Sequence, residues 1–138
     1  MVGGSLNIEV TAVGGTYRVE VSDAARRIAS LVFTSTYEPQ TFRSGETLFV
    51  WSTTELAMID IETGLQHDVT CSEPIHSVTV LDDGEIVVIC DTYVAVIDRA
   101  QWRERIVLDH DEILIEERWE GRRLLVTDLQ GRRLQLDL

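Results

Sequence analysis

A chain of 138 residues, 44% hydrophobic and 26% charged, has the composition and length of one globular domain and falls outside the disordered class. A net charge of −12 repels phosphate backbones at long range and argues against non-specific nucleic-acid binding. The longest uninterrupted apolar run, 86–90, is far short of the roughly 20 residues of a membrane-spanning helix, so no membrane partner is expected.

Met1-Val2-Gly3-Gly4-Ser5 has neither a basic start nor an apolar stretch, so no secretory leader and a cytoplasmic location are expected. Leu6, Ile8, Val10 and Ala12 then alternate with polar residues, and Tyr17, Val19 and Val21 follow the turn Val13-Gly14-Gly15-Thr16, which predicts a hairpin. Residues 22–27 offer a cap candidate for a helical turn, as do residues 98–103. Strands are predicted over 47–51, 55–61 and 66–71, then over 75–81, 85–90, 93–98 and 105–109, a complete four-stranded antiparallel meander. The last predicted strands are 112–119, 122–128 and 132–138.

Offsets recur along this series. Gly4, Gly45, Gly84 and Gly121 precede apolar strands at separations of 41, 39 and 37, and Asp23, Asp60, Asp98 and Asp137 close strands at separations of 37, 38 and 39. Arg43-Ser44-Gly45, Asp82-Asp83-Gly84 and Trp119-Glu120-Gly121 read as three-residue hairpin loops ending on a left-handed glycine. The connections Glu38-Pro39 and Glu73-Pro74 repeat 35 residues apart. Ile86-Val87-Val88-Ile89 and Val94-Ala95-Val96-Ile97 are apolar at consecutive positions, so their sheet is expected to be covered on both faces. Leu134, Leu136 and Leu138 alternate with Gln135 and Asp137, as in an end sheet with one solvated face.

The run Ala57-Met58-Ile59-Asp60-Ile61-Glu62-Thr63-Gly64 resembles a strand ending of quinoprotein-type β-propeller blades, and Asp82-Asp83-Gly84 resembles a turn of the same blades. The pattern extends over most of residues 40–138. The expected fold is all-β, a single domain over 1–138 of about three and a half four-stranded meander repeats, propeller-like or a partial propeller. A compact ring, a half-ring completed by a second chain and an open stack all fit, and a two-sheet β-sandwich is the alternative.

No nucleophile elbow, phosphate-binding loop, dinucleotide fingerprint or zinc-protease motif is present, and no cofactor or metal is expected. Cys71 and Cys90 lack metal-site spacing and read as reduced core residues. Asp109-His110-Asp111-Glu112 could serve an acid–base pair or a divalent cation, but a polar turn explains it more simply. Adjacent Glu116 and Glu117 point to opposite faces of a strand and form no carboxylate pair.

Charge is unevenly placed: residues 44–98 hold 11 acids and no arginine or lysine, and all 12 basic residues of the chain are arginines. In a meander, alternate connections emerge at opposite ends. One end is expected to be an acidic rim with Glu38, Glu55, Glu73, Asp91, His110 and Asp111 and no arginine, and the other a mixed rim on which Arg99, Trp102 and Arg103 are the contact candidates. These features suggest a non-catalytic module that binds a protein partner or a second copy of itself as a homodimer. The alternative is a small-ligand or metal-binding protein, or an enzyme, with a pocket where the repeats converge.

Overall fold

The computed structural model describes residues 5–138; Gly4, the first glycine of the repeat, lies outside them. Among the described residues there are 14 strands, all paired antiparallel in sheets of three, four, four and three strands, and no helix. The propeller-like all-β reading holds. The chain divides into two compact units, one ending at Cys71 and the other covering Ser72–Leu138.

In unit 1, β1 (Asn7–Val13), β2 (Thr16–Ser22) and β3 (Arg27–Thr34) form one sheet, and β4 (Gln40–Ser44), β5 (Thr47–Ser52), β6 (Glu55–Asp60) and β7 (Gln66–Thr70) form the other. Period-2 alternation turns Val19, Val21, Leu31 and Phe33 of the first sheet onto Leu48, Val50, Ala57 and Ile59 of the second. Fully burying each such side chain stabilises the fold by about 1.5–3 kcal/mol.

Unit 2 repeats the arrangement in reverse order. Its sheet of β8 (Ile75–Val80), β9 (Ile86–Cys90), β10 (Tyr93–Asp98) and β11 (Arg103–Asp109) is followed by one of β12 (Leu114–Glu120), β13 (Arg123–Asp128) and β14 (Arg133–Asp137). Val87, Ile89, Val94 and Val96 pack with Leu114, Leu124 and Val126, and Leu134 and Leu136 join from the margin.

The two kinds of sheet differ as their sequences require. Every residue of β9 is buried, as are Tyr93–Ile97 on β10, so consecutive apolar residues are shielded on both faces. On the three-stranded sheets every second residue is wet: Glu9 and Arg18 are exposed on β1 and β2, and Arg133, Gln135 and Asp137 on β14.

Turn chemistry departs from expectation at two of the three predicted glycine loops. Asp82-Asp83-Gly84 is the predicted three-residue loop, closed by the Leu81 amide on the Glu85 carbonyl, with Gly84 at φ +87°. At the other two glycines the loop is one residue later and only two residues long. Gly45-Glu46 joins the pair Ser44 and Thr47, and Gly121-Arg122 joins Glu120 and Arg123, with glycine first at φ +58° and +62°. That is the glycine-first hairpin turn whose twist matches the flanking strands.

The two candidate helical turns are non-helical. Asp23 Oδ1 accepts from the amides of Ala25 and Arg26, and Asp98 Oδ1 from that of Ala100, so each carboxylate closes a tight turn in place of capping a helix. β3 and β4 are strands that periodicity left undefined.

Leu124→Ala, at a fully buried position of unit 2, is expected to cost about 2–5 kcal/mol in chemical denaturation, whereas Leu65→Ala, 60% exposed, is expected to stay within about 0.5 kcal/mol.

Candidate functional site: the loop ends of the two units

At one end of unit 2 the β7–β8, β9–β10, β11–β12 and β13–β14 connections emerge together, and their carboxylates are engaged with their own loops. Glu73 Oε1 accepts from the Thr92 amide at 2.8 Å and from the Thr92 hydroxyl at 2.9 Å. Asp91 Oδ1 lies 2.5 Å from His76 Nε2. Both residues are therefore fixtures of the loops as well as members of the expected acidic rim.

The His110 cluster is built around an aspartate that sequence spacing did not single out. Asp128 ends β13 with its side chain fully buried. Its Oδ1 accepts from the amides of Gln130 (2.9 Å) and Arg132 (2.8 Å), and its Oδ2 accepts from Arg132 Nε at 2.7 Å and meets His110 Nε2 at 2.9 Å. Burial pushes this carboxyl up, but the hydrogen bonds from the His110 ring, from the Arg132 backbone and side chain, and from the Gln130 backbone outweigh it and bring the pKa down to about 2. His110 Nδ1 faces Asp111 at 3.6 Å, and Asp111 also accepts from Arg132 Nη2 at 3.0 Å. Through Nε2 and Asp128, His110 ties the β11–β12 loop to the end of β13.

Arg132 corrects the expected charge pattern. It stands in the β13–β14 connection, on the end expected to lack arginine, because that connection emerges beside the β11–β12 loop, where Arg132 meets Asp111. Asp128-Leu129-Gln130-Gly131 makes a carboxylate-to-glycine turn one residue shorter than that of Asp60 and Gly64: the Gly131 amide bonds the Asp128 carbonyl as the Gly64 amide bonds that of Asp60.

The same end exposes apolar side chains. Ile113, Ile115 and Leu129 are 41%, 51% and 58% exposed, and the Leu129 amide donates to the Ile113 carbonyl at 2.8 Å, which joins the two loops that carry them.

The corresponding end of unit 1 is held by hydroxyls. Ser35 Oγ and Thr53 Oγ1 are 2.7 Å apart, and Ser52 Oγ donates to the Tyr37 carbonyl at 2.9 Å. Val13, Tyr37 and Glu38 are left exposed. Glu55, assigned to the rim, turns toward β7: its Oε2 accepts from Thr70 Oγ1 at 3.0 Å, and it lines a groove of about 460 Å³ between β3 and β6–β7.

On the mixed ends, arginines join connections, across two sheets for Arg26 and Arg122 and within one sheet for Arg99. In unit 1 Arg26 Nη2 donates to the carbonyls of Ile61 and Glu62 at 2.8 and 2.5 Å. In unit 2 Arg122 Nη1 meets Asp82 at 2.9 Å and Asp83 at 3.2 Å, and Arg99 Nη2 donates to the Gly84 carbonyl at 2.6 Å. Arg103 is exposed at the head of β11, while Trp102 is half-buried in a left-handed turn at φ +51°.

Elsewhere in unit 2, Tyr93 Oη accepts from the Ser72 amide and donates to Glu104 Oε2. Burial, then Glu104 and Cys90, push its phenol far above the ordinary range. Cys71 of unit 1 and Cys90 of unit 2, read from the sequence as core residues, are both buried.

No protein-family model and no curated protein matches this chain. Solved structures do. The computationally designed Ika4 protein is 10% identical, with a TM-score of 0.61 over 99% of this chain and 92% of its own. A chain of the mitotic checkpoint complex is 12% identical, TM-score 0.64, over 91% of this chain and 46% of its own. BamB from Moraxella catarrhalis is 13% identical, TM-score 0.59, over 99% of this chain and 43% of its own. The chain thus spans most of the first but less than half of the other two, and at these identities the likeness is one of fold.

The Asp128 carboxyl is depressed below its ordinary 3.8, so the stability it contributes is complete above about pH 4 and is lost as pH falls toward 2. Asp128→Asn is expected to lower the melting temperature at pH 7 and to flatten the acid limb between pH 4 and 2, as followed by circular dichroism.

Proposed function

We propose that this protein is a non-catalytic interaction module that binds a partner protein through its loop ends, with the β11–β12 and β13–β14 loops of unit 2 as the principal contact. The observation that carries this reading is the exposed Ile113 and Leu129, on loops fastened by Asp128, His110 and Arg132, with exposed Ile115 at the head of β12. Exposed apolar side chains on ordered backbone bind with little ordering cost, and charged neighbours such as Asp111 and Arg132 set orientation and encounter rate. Tyr37 and Glu38 offer a second, smaller patch of the same make-up on unit 1.

The likeness to propeller-like chains supports this reading by analogy of fold. Charge reversal at Glu73 or Asp91 is a poor test, since both hold loops in place; side chains free to change without unfolding the turn are the right ones.

The test compares wild type with Ile113→Asp/Leu129→Glu in quantitative pull-downs from the native source, with light scattering on the purified protein. Partner recovery is expected to drop about tenfold or more for the double variant, with an unchanged melting curve. Equal recovery by both proteins rejects the patch, and a stable homodimer dissolved by the same substitutions identifies the partner as a second copy.

A further inference from the structure

The three-stranded sheet of unit 1 ends on β3, whose outer side has no neighbour in the sheet order among the described residues. Natural edge strands are generally blunted by charge, proline or a bulge. β3 has none of these beyond its first residue: after Arg27 it reads Ile-Ala-Ser-Leu-Val-Phe-Thr, and its one register shift lies where it begins, opposite the junction of Val21 and Ser22. Val32 on this strand is 61% exposed.

Alongside this edge runs the groove of about 460 Å³, bounded by residues 30–34 of β3 and by Glu55, Ala57, Gln66 and Asp68. Its volume is that of an ordinary ligand cleft. Its two carboxylates accept only from neutral groups in the bonds they make, Asp68 from Gln66 Nε2 at 2.8 Å and Glu55 from the Thr70 hydroxyl. The sequence from 44 to 98 supplies no arginine or lysine to neutralise them.

From the free edge and the uncompensated acids beside it, we propose that β3 accepts an extended, basic segment of a partner protein as a fourth strand, with its cationic side chains set against Glu55 and Asp68. Main-chain hydrogen bonds to the outer side of β3 supply affinity in such an addition, and alternate side chains supply selectivity. Because successive residues of a strand point to opposite faces, the segment carries its basic residues at every second position. This site is separate from the loop ends and does not depend on their role.

The test uses a fluorescein-labelled peptide of eight residues alternating Val and Arg, a Val–Glu counterpart, and the full chain. Fluorescence anisotropy is expected to show salt-sensitive binding of the Val–Arg peptide and none of the Val–Glu peptide. Glu55→Gln/Asp68→Asn is expected to weaken binding roughly tenfold, and Val32→Arg to weaken it comparably by placing a like charge on the edge. Glu9→Gln/Glu62→Gln, which removes the same charge elsewhere on unit 1, is expected to leave it unchanged. Hydrogen exchange is expected to slow at the amides of β3 when the peptide is bound. Equal binding by the Glu55/Asp68 variant, equal loss in the Glu9/Glu62 variant, binding without protection of β3, or no binding at all overturns the proposal. So does sedimentation showing that β3 is already paired with a second copy.

Discussion

A small β-sheet cannot dry its own face, and the whole arrangement follows from that. Three or four strands of five to eight residues expose a row of Val, Leu and Ile to water unless another sheet lies against them. In unit 1 Val19, Val21 and Leu31 meet Leu48, Val50 and Ile59; in unit 2 Val87 and Val96 meet Leu124 and Val126. The residues involved are nearly all β-branched or leucine, which suits a pleated surface packed on one side. Runs of consecutive apolar residues mark the inner strands of the four-stranded sheets, and β14 of a three-stranded sheet alternates instead.

Stacking fixes the strands, and side-chain oxygens fix what joins them. Asp23, Asp60, Asp98 and Asp128 each accept backbone amides of the turn that follows. Glu73 does so across to the next connection. An acidic chain thus spends part of its negative charge on satisfying amides that sheet ladders leave over. The formal charge of −12 accordingly overstates what the loops offer to a partner. Contact potential comes from the exposed remainder and from the apolar side chains among it.

Much of the architecture was legible in the sequence because it rests on period and punctuation. The 75–109 meander, the first hairpin and the alternating last strand are written in residues whose spacing has one physical reading. β3 and β4 were not, because Ile28, Leu31 and Phe33 combine with a register shift at Ser22 that breaks strict alternation. Turn length at Gly45 and Gly121 was also hidden, since a left-handed glycine serves as first residue of a two-residue loop as well as last of a three-residue one. The site was less legible still. Asp128, Arg132 and Leu129 sit within five positions of one another, but only folding shows that Asp128 lies beneath His110, or that Leu129 lies beside Ile113.

The basic side chains that fasten the loops differ in what they grip. Arg26 and Arg99 hold peptide carbonyls, groups that neither gain nor lose a proton in water, whereas His110 and Arg132 hold the carboxylate of Asp128. Acidification therefore slackens one class of fastening and spares the other. Below about pH 4 the Asp128 fastening of the β13–β14 loop weakens, while the bonds from Arg26 to the Ile61 and Glu62 carbonyls have no titrating acceptor to lose.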